Sequence, residues 1–163
     1  MHHAIENAEE AVYKEKELEE MDVMFLMDRF GYAKTIDMNT YERNKDAVNA
    51  ENKYVFKCKN TGRICMFTDS GQLHVIKVLD LPFGKFRDKG TPIDNLINYS
   101  SDKEEIIFIT NQTELNLRRV LFVTKQSMMK VVDGGEFDVT KRTVAATKLQ
   151  DDDKVLSIVC IND

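Results

Sequence analysis

A threefold internal repeat is the feature of this sequence that most constrains its fold. The repeated segments are VMFLMDRFGYAKTI (23–36), CMFTDSGQLHVI (65–76) and LFVTKQSMMKVV (121–132). When they are aligned, Asp28, Thr68 and Thr124 correspond, at steps of 40 and 56 residues. Small or polar residues follow three positions later, so each segment predicts two strands joined by a tight turn. The further matched positions are Gly31, Gly71 and Ser127, then Lys34, His74 and Lys130, then Ile36, Ile76 and Val132.

Each predicted hairpin is followed by an apolar anchor and a further strand. The anchors, five residues after the hairpin, are Tyr41, Leu81 and Phe137. The later apolar runs, each preceded by a charged turn, are YVFKCK (54–59), IIFIT (106–110) and VLSIVCI (155–161). Repeats of this length with about four short strands are typical of propeller blades. The sequence therefore predicts an all-β fold, a β-pinwheel or propeller-like array of about three four-stranded blades; a β-sandwich is the alternative.

The predicted domain organisation has two parts. Residues 1–21 form an acidic lead-in that is a short helix, a solvated linker or a disordered segment, and His2 and His3 could be the remnant of a purification tag. Residues 22–163 form a partial pinwheel domain. The expected repeats span about 22–60, 61–111 and 118–163. Because closed propellers use about four to eight blades, three units indicate either a piece of a larger protein or an open arc.

The acidic net charge is unevenly distributed. The chain carries a formal charge of −5, yet residues 1–22 alone hold eight acidic and two basic residues, so the remainder is close to neutral and slightly basic. That remainder offers a modest basic surface to a polyanion. The sequence has no apolar run long enough for a membrane span. Its three cysteines lack CxxC spacing, which favours reduced thiols in the cytoplasm.

The sequence predicts neither a catalytic site nor a metal site. It lacks GxSxG, HExxH, P-loop and GxGxxG motifs. His74 stands where the other repeats have lysine, so we expect it to be an exposed residue and not a general base. A zinc site built from Cys58, Cys65 and His74 is conceivable, but the spacing does not fit the common finger patterns. A small metalloenzyme would require that site.

Basic residues in the loops after the hairpins are more informative. They occur in KFRDKG (85–90), TKRTVAATK (140–148) and YERNK (41–45), beside small residues that let cations approach phosphates closely. Repeated blades would place these loops along a rim as a curved positive track, suited to bent DNA without base reading. Ordinary solvated loops are the alternative. The predicted DNA-binding residues are Lys85, Arg87, Lys89, Lys141, Arg142 and Lys148, followed by Arg43, Lys45 and Lys130.

Several of these segments resemble a known family. FGKFRDKGTPIDNL (83–96), LFVTKQSMMKVV (121–132) and GEFDVTKRTVAATKLQDDDKVLSI (135–158) are similar to the C-terminal repeats of bacterial DNA gyrase and topoisomerase IV A subunits, most closely of the Firmicutes type. RFGYAKTI (29–36) resembles the hairpin that opens a blade in that family.

The resemblance implies a β-pinwheel that binds and bends double-stranded DNA and presents it to a cleavage core. This chain would then not be a catalyst. Its partners would be DNA, the cleavage core of the parent A subunit, and through that core the ATPase B subunit, without a membrane. It would need no cofactor of its own, since ATP and Mg²⁺ act in other parts of an ATP-dependent type II topoisomerase. The expected location is the cytoplasm, at the nucleoid.

This sequence departs from the family pattern at one motif that distinguishes the gyrase branch from the topoisomerase IV branch. Gyrases carry a Gln-Arg-Arg-Gly-Gly-x-Gly box, and the nearest basic loops here are YERNKDA (41–47) and KFRDKGT (85–91). This favours a topoisomerase IV-like domain, or a gyrase domain without the blade that bears the box. The competing function is a propeller-like protein-interaction scaffold without DNA affinity. The acidic lead-in is compatible with that scaffold and also with an autoinhibitory tail.

Overall fold

The computed structural model describes residues 19–162, and strands dominate this part of the chain. The first six strands are β1 (Asp22–Met27), β2 (Tyr32–Asp37), β3 (Tyr54–Lys59), β4 (Arg63–Thr68), β5 (Gln72–Lys77) and β6 (Phe83–Gly84). The next six are β7 (Thr91–Pro92), β8 (Ile106–Asn111), β9 (Arg119–Thr124), β10 (Met129–Asp133), β11 (Thr143–Ala145) and β12 (Val155–Ile161). The short helices are α1 (Met38–Arg43), α2 (Lys45–Glu51) and α3 (Gln112–Asn116).

The three repeated segments form three antiparallel hairpins, β1–β2, β4–β5 and β9–β10. The position shared by Asp28, Thr68 and Thr124 caps the turn of each hairpin. Each side-chain oxygen accepts a hydrogen bond from the backbone N–H four residues later, at 3.0, 3.3 and 3.1 Å respectively. A short oxygen-bearing side chain at this position stabilises the turn, which explains why Asp and Thr recur there.

The later strand of each repeat pairs with the first strand of its own hairpin. β3 lies antiparallel to β1, β8 to β4, and β12 to β9. The predicted all-β pinwheel architecture is confirmed, with three sheets of five, four and three strands.

Neighbouring repeats also exchange strands. β6 and β7 follow the second hairpin in sequence, but both pair with β2 of the first sheet. β11 follows the third hairpin and pairs with β5 of the second sheet. Each donated strand closes one edge of the preceding sheet, whereas β10 is itself an edge strand of the third sheet. We call this edge, formed by β6–β7, β11 and β10, the donor edge.

The sheets pack face to face through two apolar cores. The core between the first and second sheets contains Phe25, Met66 and Leu81, and the core between the second and third contains Phe67, Phe122 and Phe137. The Phe67 ring contacts the Phe137 ring edge-on, with 5.3 Å between centroids. A third cluster covers the other face of the first sheet with α2 and the loop that follows β6.

The chain between β2 and β3 differs from the sequence prediction. We expected a basic loop at 41–45, and the structure has two consecutive helices there. Asp37 caps α1 by accepting a 2.6 Å hydrogen bond from the Thr40 N–H, and Val48 of α2 is fully buried against the first sheet. A capped turn and an apolar residue on one face favour helix over loop. The predicted helix within residues 1–21 falls mostly on residues 1–18, which lie outside the described part.

Candidate nucleic-acid interface

Each of the three sheets carries basic side chains at its donor edge. The segment 85–89 lies at the edge of the first sheet between β6 and β7, and residues 141–142 lead into β11 at the edge of the second. Lys130 is on β10, the corresponding edge of the third sheet. We refer to the following residues as the basic edge: Lys85, Arg87, Lys89, Lys141, Arg142 and Lys130.

The loop at the first sheet is held in place by a lysine of the neighbouring strand. Lys34 donates hydrogen bonds from its ammonium group to the carbonyl oxygens of Phe86 and Asp88, the latter at 2.6 Å. Partial burial lowers the pKa of the Lys34 ammonium. Phe86 is buried beneath the loop, while Lys85, Arg87 and Lys89 point to solvent. The loop therefore presents three cations on a fixed backbone.

Aromatic rings orient two of these cations. The Arg87 guanidinium lies 5.4 Å from the centroid of the Phe86 ring, and the Lys89 ammonium lies 5.1 Å from the centroid of the Tyr32 ring. Such contacts hold a cation near one position while leaving its hydrogen-bond donors available. Asp88, the acidic residue of this loop, accepts a 3.0 Å hydrogen bond from the Lys85 N–H and so shapes the turn.

The basic residues at the second sheet border a cleft of about 260 Å³. Arg142 is fixed through its backbone, because its carbonyl accepts a 2.7 Å hydrogen bond from the Val75 N–H. Arg63 is paired with Asp138, so its charge is already compensated. The charged residues around the cleft are Arg63, Lys77, Lys141, Arg142 and Asp80. With Arg63 compensated by Asp138, three cations against one acid still leave this cleft positive.

The third sheet contributes a further pair. Lys130 and Lys148 both line a cleft of about 220 Å³ together with Asp153. Arg43 and Lys45 lie elsewhere, at the junction of α1 and α2 on the covered face of the first sheet. All nine predicted residues are exposed. The structure thus places six of the nine at the basic edge, Lys148 beside it, and Arg43 and Lys45 elsewhere. Contact of the nine residues with DNA stays a prediction.

The opposite edge of the second and third sheets has a different charge. Across the three sheets this edge is formed by β3, β8 and β12; the turns before β8 and β12 are rich in acidic residues, whereas the residues before β3 include one Glu and one Lys. The acidic residues before the three strands are Glu51, Asp102, Glu104, Glu105, Asp151, Asp152 and Asp153. In the second and third sheets, carboxylates therefore precede the edge opposite the donor edge, whereas the first sheet carries lysines there as well.

The prediction that His74 is an exposed cation is wrong. Its side chain is 1% exposed, with Nδ1 2.9 Å from Thr143 Oγ1 and Nε2 2.6 Å from Glu104 Oε1. Thr143 belongs to the donated strand β11, so strand exchange covers a position that would otherwise lie at a sheet edge. Both ring nitrogens are engaged, and His74 joins β5, β11 and the turn before β8.

The cysteines are free and poorly placed for chemistry. Burial raises the pKa of Cys58 and of Cys65 to about 12, which leaves both as neutral thiols at physiological pH. Among residues 19–162, no group of three His, Cys, Asp or Glu side chains is arranged to hold a metal ion. In the same residues, no helix is long and apolar enough to span a bilayer.

Sequence reasoning missed three basic residues that shape this surface. Lys77 and Arg63 border the same cleft as Lys141, although they come from the second repeat and not from the third. Lys34 supports the loop of the following repeat from 52 positions away in sequence. The repeat alignment flags Lys34 as a matched position, but nothing in the sequence shows which segment it would contact.

Comparison with protein families and curated proteins gives a consistent result. Residues 118–162 match the family described as DNA gyrase C-terminal domain, beta-propeller. The A subunit of DNA gyrase from Campylobacter fetus is 28% identical over 144 residues, covering 81% of this chain and 17% of that protein. Its counterpart from Clostridium acetobutylicum is 25% identical over 166 residues, covering 95% of this chain and 20% of that protein. The chain thus spans about a fifth of the length of these relatives.

Solved structures agree on the fold. The C-terminal domain of DNA topoisomerase IV superposes with a TM-score of 0.75 and 21% identity, covering 88% of this chain and 46% of that structure. The Escherichia coli ParC C-terminal domain gives a TM-score of 0.69 and 14% identity, covering 87% and 57%. The predicted resemblance to gyrase and topoisomerase IV C-terminal domains is confirmed. The relatives include both Campylobacter and Clostridium, so the Firmicutes assignment stays a prediction.

Proposed function

From its resemblance in sequence and fold to the C-terminal domains of gyrase and topoisomerase IV A subunits, we propose that this protein binds and bends double-stranded DNA along its basic edge. The observation that carries this proposal is the recurrence of exposed cations at the same edge of three successive sheets. Stacked sheets that each present cations at one edge form a surface that can follow the backbone of a curved duplex.

The chemistry of the basic edge favours phosphate contacts over base reading. Its side chains are Lys and Arg held by main-chain hydrogen bonds and aromatic contacts at the sheet edges, and the described part of the chain has no helix longer than seven residues to enter a major groove. Contacts of this kind position DNA without selecting its sequence. Binding should then depend little on the DNA sequence, and the affinity should fall steeply as the salt concentration rises.

A salt titration tests this function directly. If about five or six phosphates are neutralised, the logarithm of the binding constant should fall with the logarithm of salt concentration with a slope near −5. We expect this with any random-sequence duplex longer than about a hundred base pairs, measured by mobility shift, because a wrapping surface needs a long contact. A duplex of different base composition should give the same slope.

Charge reversal with a matched control locates the surface. Changing Arg87, Lys89, Lys141 and Arg142 together to Glu should weaken DNA binding by roughly a hundredfold or more at low salt. Because four phosphate contacts are lost, the magnitude of the salt slope should fall by about 3 to 4. The control reverses four exposed lysines at or next to the opposite edge: Lys53, Lys57, Lys103 and Lys154. Normal DNA binding by the first variant, or equal losses in both, contradicts the proposal. Absence of binding by the unmodified protein even at low salt would favour a protein-interaction scaffold.

The role within a larger enzyme follows from the relatives. We propose that the parent is an ATP-dependent type II topoisomerase of the gyrase or topoisomerase IV kind, acting on DNA in the cytoplasm. In this assignment the basic edge presents a DNA segment to the cleavage core of the parent enzyme, and the ATPase B subunit works through that core. ATP and Mg²⁺ would serve those other parts, and this chain would bind no cofactor. Lacking the Gln-Arg-Arg-Gly-Gly-x-Gly string, it fits topoisomerase IV or a gyrase domain without the box-bearing blade.

A further inference from the structure

The turn of the first hairpin carries an aromatic ring that the fold does not bury. Phe30 is 71% exposed, although the backbone of its turn is fixed. The Asp28 carboxylate accepts hydrogen bonds from the N–H groups of Phe30, at 2.9 Å, and of Tyr32, at 3.0 Å. The Gly31 carbonyl accepts a further hydrogen bond from the Ile93 N–H at 3.0 Å. The ring therefore projects into solvent from a turn that is held in place.

The other two hairpins show that the turn itself does not require this ring. The positions that match Phe30 in the repeat are Ser70 and Gln126. All three turns are nevertheless closed by the same hydrogen bond, from a backbone N–H to the side chain at the matched Asp or Thr position. The aromatic ring is thus a feature of the first hairpin alone among the described repeats.

The Phe30 ring lies on the same surface as the basic edge. Phe30 and Lys89 line one cleft of about 410 Å³, together with Tyr32. The Arg29 guanidinium lies 4.8 Å from the centroid of the Phe30 ring. A single exposed apolar side chain needs no explanation by itself. An aromatic ring on a fixed turn, with a cation on the ring and another across the cleft, is in contrast typical of a binding surface.

The charges around this cleft favour an anionic partner. Two of its three acids, Asp28 and Asp88, accept hydrogen bonds from backbone N–H groups of their own turns. Glu51 is the third acid of the cleft. The exposed cations Arg29 and Lys89 outnumber Glu51, so the surface beside the ring attracts a polyanion more strongly than a cation.

An apolar ring beside cations fits the minor groove of DNA. Proteins that bend DNA insert side chains such as Phe between two base pairs, which partly unstacks the bases and kinks the duplex. Lys and Arg next to such a side chain bind the phosphates of the backbone on which the opened step lies. Phe30, Arg29 and Lys89 supply both kinds of contact at one place.

We propose that Phe30 is a wedge that inserts between two base pairs and kinks the DNA bound along the basic edge at the first sheet. Arg29 and Lys89 bind phosphates on either side of the opened base step. The inference rests on the proposed DNA binding and adds to it the residue at which the bend is sharpest. Because Ser70 and Gln126 stand at the matched positions, the second and third sheets bend the duplex without insertion.

DNA with one weakened base step tests the wedge. Unstacking two base pairs costs free energy, and the cost is smaller at a mismatch. The unmodified protein should therefore bind a duplex with one central mismatch about fivefold more tightly than the matched duplex of the same length. Duplexes of about 30 base pairs, compared by mobility shift at low salt, leave few alternative binding positions. The salt slope should be the same for both duplexes, because the phosphate contacts are the same.

Substitutions at Phe30 and at a matched control separate insertion from charge. Phe30→Ser, with the residue of the second hairpin, should bind the mismatched duplex about tenfold more weakly and no longer prefer it. Its salt slope should be unchanged, since no charge is removed. Phe30→Leu retains an apolar wedge and should keep most of the preference. Leu117→Ser, at a residue that is 72% exposed and lies outside the basic edge, should alter neither affinity nor preference.

The bend itself gives a second measurement. Energy transfer between dyes on the two ends of the matched duplex should show a smaller bend with Phe30→Ser than with the unmodified protein or Leu117→Ser. Equal affinity of the unmodified protein for both duplexes, with a steep salt slope, overturns the wedge and leaves DNA binding by the basic edge intact. An unchanged preference and bend in Phe30→Ser overturns it too, and leaves a protein partner as the occupant of the ring. If the unmodified protein binds neither duplex at low salt, the proposed function fails together with the wedge.

Discussion

Residues at the tips of the three hairpins share a left-handed backbone conformation. Gly31 and Gly71 have φ of 86° and 83°, and Ser127, at the same repeat position, has φ of 66°. Glycine reaches this region without a steric penalty, whereas a residue with a Cβ is strained there. The third hairpin therefore carries backbone strain that the other two avoid.

Replacing this serine should stabilise the protein. Ser127→Gly removes the strain of the left-handed backbone, and the greater freedom of glycine in the unfolded chain offsets part of that gain. We expect the free energy of unfolding to rise by about 0.5 kcal/mol, measured by chemical denaturation. Ser127→Ala retains the Cβ and should bring no gain. An equal gain from alanine would show that strain at this position is not the cause.

At the scale of secondary-structure elements, the two adjacent glycines that follow β10 have very different surroundings. Gly134 opens the 3-10 turn that packs against α3, and its N–H donates a 2.8 Å hydrogen bond to the Arg118 carbonyl. A Cβ at Gly134 would overlap the Leu115 carbonyl oxygen, whereas a Cβ at Gly135 would meet nothing within 4 Å. The two positions form a matched pair for testing this contact.

We expect Gly134→Ala to be severely destabilising, by about 3 kcal/mol or more, because the turn and α3 must separate to admit the methyl group. Gly135→Ala should change the stability by no more than about 0.5 kcal/mol. Thermal and denaturant unfolding of both variants measures the difference. Similar stabilities of the two variants would mean that the turn does not pack against α3 as described.

Elements with strong local signals could be predicted from the sequence, and elements made by distant contacts could not. The hairpins follow from turn residues and apolar runs, which act over about ten residues. The donated strands β7 and β11 have only two and three residues and no alternating apolar pattern. Their pairing is fixed by the core and by cations such as Lys34 that hold the neighbouring loop.

The candidate site could likewise be predicted only in part: the exposure of its residues could be, and their arrangement along one edge could not. Exposure of the basic residues follows from their charge, because isolated Lys and Arg are rarely buried. Their alignment along one edge depends on strand exchange and could not be predicted. His74 shows the same limit, since its burial depends on Thr143, which is 69 residues away in sequence.

At the scale of the whole molecule, the two ends of the stack of sheets differ. Val48 of α2 and Phe86 close the outer face of the first sheet, whereas Met129, Val131 and Val159 on the outer face of the third sheet are exposed.

The distribution of charge along the whole chain gives a last prediction. Residues 1–18 contain five Glu and two Lys, so their removal changes the formal net charge from −5 to −2. If this acidic lead-in competes with DNA for the basic edge, a protein starting at Glu19 should bind DNA several-fold more tightly at low salt. Glu19 is retained because its carbonyl accepts a 3.0 Å hydrogen bond from the Asn60 side chain.

If the lead-in competes with DNA through its charge, the increase in DNA affinity on truncation should depend on the salt concentration and on the glutamates of residues 1–18. The difference in DNA affinity between the full-length and the truncated protein should vanish at high ionic strength, where charges farther apart than about a Debye length are screened. A full-length variant with Glu6, Glu9, Glu10, Glu15 and Glu17 changed to Gln should bind DNA as tightly as the truncated protein. If the truncated protein binds more tightly and the Gln variant does not, the lead-in blocks DNA by its bulk. If neither change affects affinity, the lead-in has no autoinhibitory role.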